Sequence, residues 1–120
     1  MSQGHIVVVD DDPMIRFLVQ EYLKASGFTV DAFESGKDAL TALPSLTPNL
    51  VMLDLQMPGM NGIEVLEQIR ANPGIATVPV LMLSANAGEA QTLSTTVANA
   101  YLEKPFQMQA LLAAVESTKR

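Results

Sequence analysis

The chain has 120 residues, 48% of them hydrophobic and 17% charged, as expected for one globular domain with an ordinary core. Thirteen acidic residues against seven basic ones give a net charge of -6, and an acidic surface repels phosphate backbones, so we expect no direct binding to nucleic acid. Cysteine is absent and His5 is the sole histidine, which excludes disulfides, thiol nucleophiles and His-rich metal sites. No apolar run approaches the roughly 18 residues of a membrane span, and the first residues lack the basic region and apolar stretch that are typical of a signal peptide. We therefore predict a cytoplasmic protein without membrane insertion, in which residues 1–120 form one domain.

The first half of the chain alternates short apolar runs with longer periodic segments. A continuous β-branched run over 6–9 predicts a buried strand. Apolar pairs every four residues over 14–23 predict a helix, with Asp12 as its N-cap and Ser26-Gly27 at its end. A second strand follows over 28–33. Ser35 with Asp38 resembles a capping box, which opens a helix that we expect Pro44 to end.

The second half repeats this alternation. A third buried run covers 50–53, and Asn61 with Glu64 begins a third helix that Asn72-Pro73-Gly74 ends. The remaining predicted elements are a fourth strand over 78–83, a weak helix over 88–97, a fifth strand over 100–103, and a last helix striped by Met108, Leu111, Leu112 and Val115. Five β-α units in succession predict an α/β fold with a doubly wound parallel sheet and five helices.

Polar side chains follow the apolar runs at four places. Asp10, Asp11 and Asp12 follow the first strand, Asp54 the third, Ser84 the fourth and Lys104 the fifth. In open parallel sheets, ligands bind beyond the carboxyl ends of the strands, so this edge is the predicted site.

Carboxylates that converge at this edge predict a cation site. If the first and third strands are neighbours, Asp10, Asp11 and Asp54 lie close together, and their repulsion is relieved by a hard divalent ion. Oxygen ligands with open positions suit Mg²⁺. Asp54 is then the natural nucleophile for a phosphoryl group, with Ser84 donating a hydrogen bond and Lys104 neutralising charge.

Simpler interpretations stay open at this point. Asp12 is expected to serve only as the helix cap, and Asp10 and Asp11 also fit a solvated turn. Lys104 fits a structural partner of the acidic cluster as well as a catalytic group, and Ser84 alone means little. Asp54 is harder to explain without a site, because a carboxylate directly after a buried strand is costly unless it is paired.

Four segments together resemble the receiver domain of two-component response regulators. The match extends over essentially the whole chain, and the segment from Asp54 to Gly62 is its most distinctive part. The matching segments are Ile6-Val7-Val8-Val9-Asp10-Asp11-Asp12-Pro13, Leu53-Asp54-Leu55-Gln56-Met57-Pro58-Gly59-Met60-Asn61-Gly62, Ser84-Ala85 and Lys104-Pro105-Phe106. The resemblance implies a flavodoxin-like sheet of order 2-1-3-4-5.

The resemblance also implies a role for each site residue. Asp54 would accept a phosphoryl group from a phosphohistidine on a histidine kinase or a histidine phosphotransfer protein. Mg²⁺ would be bound by Asp11, Asp54 and the backbone carbonyl of Gln56, with Asp10 acting through a water. Ser84 and Tyr101 would be the switch residues, and Lys104, in a cis peptide bond to Pro105, would pair with the phosphoryl group. The surface of helix 4, strand 5 and helix 5 would then bind an unidentified downstream protein.

Other classes of protein fit less well. A haloacid dehalogenase-like phosphatase needs an acid two residues after the nucleophile, and that position is Gln56. A flavin- or nucleotide-binding domain needs a phosphate loop after the first strand, where the aspartates would repel the anion. We expect a signalling module rather than a conventional enzyme. Its alternatives are a receiver excised from a hybrid histidine kinase or multidomain regulator and, less favoured, a partner-binding module that is not phosphorylated.

Overall fold

The computed structural model describes residues 3–85 and 98–120. Its five strands form one parallel sheet in the order β2-β1-β3-β4-β5, which confirms the predicted topology. The predicted helix over 88–97 lies outside the described residues. The strands are β1 (His5–Val9), β2 (Thr29–Phe33), β3 (Leu50–Asp54), β4 (Val80–Ser84) and β5 (Ala100–Glu103).

Three of the four described helices begin at capping residues predicted from the sequence, namely Asp12, Ser35 and Asn61. Asp12 caps α1 (Pro13–Ala25), accepting from the backbone N–H of Met14. Asn61 and Glu64 form a reciprocal capping box at the start of α3 (Gly62–Ala71). The last described helix, the C-terminal helix (Met108–Thr118), has no side-chain cap.

The prediction that Pro44 ends the second helix is wrong. The helix α2 (Gly36–Leu46) continues past it, to Thr47 in the left-handed conformation with φ 41°. Proline has no backbone N–H to donate and its ring crowds the preceding turn, but the residues after it keep helical angles. Leu46, two residues beyond the proline, packs against the core and so favours the extra turn. The fourth strand also begins later than predicted, after Pro79.

The core lies in two layers, one on each face of the sheet. Successive residues of β1 point to opposite faces, so both faces of this central strand are buried. One layer packs against α2 and α3, and the other packs against α1 and the C-terminal helix. Within the described residues, no helix is long and apolar enough to cross a membrane.

Candidate functional site

Three carboxylates meet where β1 and β3 end. Asp10 is fully buried and Asp54 is 5% exposed, whereas Asp11 is exposed at the rim. The two strands are neighbours in register, with Val9 opposite Leu53, so the residue that follows each of them emerges at the same edge. One oxygen from each of the three carboxylates lies within 4.8 Å of the others. The predicted convergence of Asp10, Asp11 and Asp54 is therefore confirmed.

The fourth aspartate of this region has a different role. Asp12 accepts hydrogen bonds from the backbone N–H groups of Met14 and Ile15, at 2.9 and 3.3 Å. Its own N–H donates to Oδ1 of Asp10 at 2.9 Å. Asp12 thus caps α1, as predicted, and also holds the Asp10 carboxylate in place.

Lys104 brings a positive charge into this cluster. Its ammonium Nζ lies 3.1 Å from Oδ2 of Asp10 and 3.4 Å from Oδ1 of Asp54. Its backbone N–H donates to the carbonyl of Ser84 across the β4–β5 edge. The peptide bond to Pro105 is cis, as the resemblance implied. Lys104 is therefore anchored by the sheet and contacts two carboxylates of the cluster.

The cluster carries more negative than positive charge. Burial, and then repulsion from Asp10, raise the pKa of Asp54 to about 6, although Lys104 and the Gln56 N–H oppose the rise. Burial alone would lower the pKa of Lys104, but the carboxylates of Asp10 and Asp54 raise it. The arrangement therefore favours the binding of a further cation.

The carboxylates fit a magnesium ion by geometry as well as by charge. Mg²⁺ binds oxygen at about 2.1 Å in an octahedron, so ligands on opposite sides lie roughly 4.2 Å apart. The oxygens of Asp10, Asp11 and Asp54 lie within 4.8 Å of one another, slightly more than this span, which leaves room for an ion bound directly by some of them and through a water by another. The exposed position of Asp11 leaves the site open to solvent. The residues present can thus bind a hard divalent cation.

The start of α3 packs closely against the backbone of Asp54 and Leu55. A Cβ atom at Gly62 would stand 2.5 Å from the Asp54 carbonyl oxygen and 2.8 Å from Cα of Leu55. The Gly62 N–H donates to the Leu55 carbonyl at 2.8 Å. Gln56, which is exposed, donates its N–H to Oδ1 of Asp54 at 3.3 Å. In the sequence Gly62 is one residue of the motif that begins at Asp54, and the signal for this contact is a glycine at the first position of a helix that follows a buried strand so closely.

The two predicted switch residues lie on the neighbouring strands. Ser84 ends β4 and is 1% exposed, one residue beyond Leu83, which pairs with Asp54. Tyr101 on β5 pairs with Met82 and is half-buried against the core layer of α2 and α3. Both side chains thus lie on the half of the sheet that also carries Lys104.

Only some of the apolar residues of α1 are buried. Met14 and Leu18, which belong to the apolar pairs, are 65% and 43% exposed, and Phe17 is 60% exposed. In α1 the fully buried side chains are Val19 and Leu23. The apolar stripe is therefore wider than the buried face, and the excess forms an exposed apolar face beside the acidic cluster.

The comparisons with known proteins agree with this fold. The family model of the response regulator receiver domain matches residues 6–116. The chain is 39% identical over 117 residues to the DNA-binding response regulator MtrA of Mycolicibacterium smegmatis, covering 96% of this chain and 50% of MtrA. It is 36% identical over 118 residues to the DNA-binding transcriptional regulator NtrC of Salmonella typhimurium, covering 97% of this chain and 25% of NtrC. It thus spans about half the length of MtrA and a quarter of NtrC.

A solved structure shows the same architecture over its full length. The chemotaxis protein CheY4 of Vibrio cholerae superimposes with a TM-score of 0.90 at 26% identity, covering 98% of this chain and 99% of CheY4. The match of the family model covers nearly the whole chain and includes the acidic cluster and Lys104. The chain belongs to the response regulator receiver domain family, whose members are signalling domains rather than conventional enzymes.

Proposed function

We propose that residues 1–120 act as a receiver that accepts a phosphoryl group on Asp54, in a reaction that depends on Mg²⁺. The donor is a phosphohistidine of a histidine kinase or of a histidine phosphotransfer protein. The observation that carries the proposal is the convergence of Asp10, Asp11 and Asp54 on one point, with the ammonium of Lys104 within 3.4 Å of two of them. The cytoplasm remains the predicted compartment.

The proposed ligands of the cation are Asp11, Asp54 and the main-chain carbonyl of Gln56, with Asp10 acting through a water molecule. When bound, Mg²⁺ neutralises charge on the phosphoryl oxygens. Gln56 and Asp54 are already linked by the hydrogen bond from the Gln56 N–H, which orients the carboxylate that is to react.

Each protein group then has a definite part in the transfer. A carboxylate oxygen of Asp54 attacks phosphorus, the P–N bond to the donor histidine breaks, and the imidazole leaves as a neutral ring because its other nitrogen carries a proton. Lys104 pairs with the transferred group as a point charge. Ser84 donates a hydrogen bond to one of its oxygens. Catalysis of this kind consists mainly of positioning and charge neutralisation.

The exposed apolar face of α1 supports a protein as the donor. Met14, Phe17 and Leu18 form this face, and it begins two residues after the Asp12 cap. Large apolar side chains that stay this exposed commonly mark a protein-binding surface. A protein bound there lies next to the carboxylates, so its histidine has a short path to Asp54.

The proposed output is a change in the surface that includes β5 and the C-terminal helix. A new dianionic group attracts Ser84 and Lys104, and Tyr101 turns inward to follow them, which shifts the population toward an active surface. The partner is a protein of unidentified nature. The predicted fourth helix, also part of this proposal, lies outside the described residues.

The test is the intact mass of the protein after incubation with a small-molecule acyl phosphate, with and without Mg²⁺. We expect the wild-type protein to gain one phosphoryl group only when Mg²⁺ is present, and Asp54→Asn to gain none. Asp12→Asn is the matched control, because asparagine caps a helix as well as aspartate while one carboxylate beside the site is removed; it should still be phosphorylated. Absence of an adduct in every condition would contradict the proposal and favour a module that binds partners without phosphorylation.

A second candidate is the receiver of a longer protein, either a multidomain regulator or a hybrid histidine kinase. The observation that favours it is that the chain spans half of MtrA and a quarter of NtrC, whose names describe DNA-binding proteins. Both candidates use the same site. Mass measurement of the protein from its native cell, compared with 12.9 kDa, distinguishes them.

A further inference from the structure

Arg16 on α1 reaches back to the end of β1. Its Nη1 donates to the main-chain carbonyl of Asp10 at 2.8 Å, in a part-buried position. Its backbone N–H donates to the carbonyl of Asp12 at 3.0 Å. One residue of the helix therefore contacts the backbone on both sides of Asp11.

The Asp10 carbonyl needs such a donor because the strand ladder has ended. β1 ends at Val9, and the Asp10 N–H makes its bond to Phe33 of β2. Asp10 itself is fully buried, and a buried carbonyl without a donor costs free energy comparable to a lost hydrogen bond. Helical side chains lean toward the N-terminus of their helix, which directs Arg16 toward this carbonyl.

These contacts hold the turn that carries the two carboxylates. Arg16 holds the Asp10 carbonyl, and Asp12 holds the Asp10 side chain through its N–H at 2.9 Å. Asp11 lies between these two anchored residues and is exposed. The orientation of the Asp11 carboxylate therefore depends on the hydrogen bonds that hold Asp10 and Asp12.

We propose that Arg16 is a positioning residue for the cation site: its hydrogen bond to the Asp10 carbonyl holds the turn in which Asp10 and Asp11 converge with Asp54. The inference rests on the proposed function, since it assumes that the carboxylates bind Mg²⁺. A positioning role and a purely electrostatic role of Arg16 predict opposite changes in Mg²⁺ affinity when the side chain is removed. A positive side chain repels a cation, so if charge alone mattered, removing Arg16 would strengthen Mg²⁺ binding.

The test compares the Mg²⁺ dissociation constant of the wild-type protein with those of two variants, measured by calorimetric titration. Arg16→Met keeps much of the side-chain length but removes the donor and the charge, and should weaken binding about tenfold, as loss of a group that orients a metal ligand does. Arg16→Lys keeps a donor and the charge, and should restore most of the affinity. Lys24→Met is the matched control, since it removes the same charge from the exposed last turn of α1; it should leave the affinity unchanged.

A second measurement separates positioning from general loss of structure. In the metal-free protein, the backbone amide resonances of Asp11 and Asp12 should shift in Arg16→Met and not in Lys24→Met, while the urea midpoint remains in the folded range. Unchanged or tighter Mg²⁺ binding by Arg16→Met, or a loss in Arg16→Lys as large as in Arg16→Met, would overturn the inference and leave the proposed function intact. Failure of the wild-type protein to bind Mg²⁺ would overturn both.

Discussion

The buried polar groups at the two ends of the sheet differ in how they are paired. At the carboxyl end, Asp10 and Asp54 are buried side by side, with a single ammonium, that of Lys104, in contact with both. At the amino end, neutral amide side chains satisfy the backbone. Asn49 accepts from the N–H of His5 at 2.7 Å, and Asn99 accepts from the N–H of Val80 at 2.9 Å.

The amino end also carries hydrogen bonds from a charged side chain. The Arg70 guanidinium donates to the carbonyls of Ala76 and Val78 and to Oδ1 of Asn99. Burial, and then the nearby Arg120, lower the pKa of Arg70. His5 also lies at this end, with Nδ1 2.7 Å from the hydroxyl of Thr29 and Nε2 2.8 Å from Asp31.

The difference teaches how one sheet separates stability from function. Polar groups whose hydrogen bonds are satisfied stabilise the fold, because each would be costly to leave unpaired. Like charges held together destabilise it until a cation or a new ligand arrives. Variants at the amino end should therefore change mainly the free energy of unfolding, whereas variants at the carboxyl end should also change Mg²⁺ binding.

The largest effect is expected at Gly62, where a substitution should lower both the free energy of unfolding and the affinity for Mg²⁺. Gly62→Ala places a Cβ 2.5 Å from the Asp54 carbonyl oxygen, and backbone on both sides must shift. We expect a loss of about 2 to 3 kcal/mol in the free energy of unfolding, typical of overpacking, together with weaker Mg²⁺ binding. Urea unfolding and calorimetry measure the two. The control is Gly74→Ala, where the nearest atom is 3.5 Å away, and little change is expected. Equal stability of the two variants would show that α3 can move without cost.

At the amino end, Asn99→Ala should cost stability alone. The Val80 N–H, in a fully buried residue, loses its acceptor, which costs about 1 to 3 kcal/mol. Asn99→Asp keeps an acceptor oxygen beside Arg70 and should retain most of the stability. Urea unfolding tests the free energy, and titration should show an unchanged Mg²⁺ affinity in both variants. A large change in that affinity would mean that the two ends of the sheet are coupled.

At the carboxyl end, Asp54→Asn should stabilise the metal-free protein at pH 7. The pKa of Asp54 is about 6 in the folded protein and 3.8 as a free group, so folding favours its protonated form. Its contribution to stability is therefore fully present below about pH 3.8 and is lost as the pH rises through 6. The groups facing it are Asp10, Asp11 and Lys104, and asparagine removes the repulsion among the carboxylates. We expect a gain of about 1 to 2 kcal/mol at neutral pH, less than the full shift because water reaches the site.

The measurement is the free energy of unfolding of both proteins, without metal, from about pH 3 to pH 8. The gain should shrink as the pH falls and approach zero only below 3.8, where Asp54 is protonated in the unfolded as well as in the folded protein. Added Mg²⁺ should reverse the order at pH 7, since the ion stabilises only the protein that binds it. A variant that is less stable than wild type throughout this range would refute the account of the carboxyl end.

Much of the fold could be predicted from local patterns. Asp12 and the pair of Asn61 and Glu64 cap helices as expected, because a short polar side chain satisfies the free N–H groups of the first turn wherever the helix lies. The apolar runs of β1 and β3 identified strands buried on both faces. Pro44 was misjudged, because packing of Leu46 outweighed a local helix-breaking signal.

The sequence by itself determined which residue types follow each strand, and from these the acidic edge, Asp54 and Lys104 could be predicted, since parallel strands end at one edge. Only the tertiary structure decided the distances among the carboxylates, the exposure of Phe17, the contact of Gly62 with Asp54 and the reach of Arg16 to Asp10. The physical reason is that these properties depend on how the helices pack against the sheet and against the ends of the strands, and such contacts leave no periodic trace along the sequence.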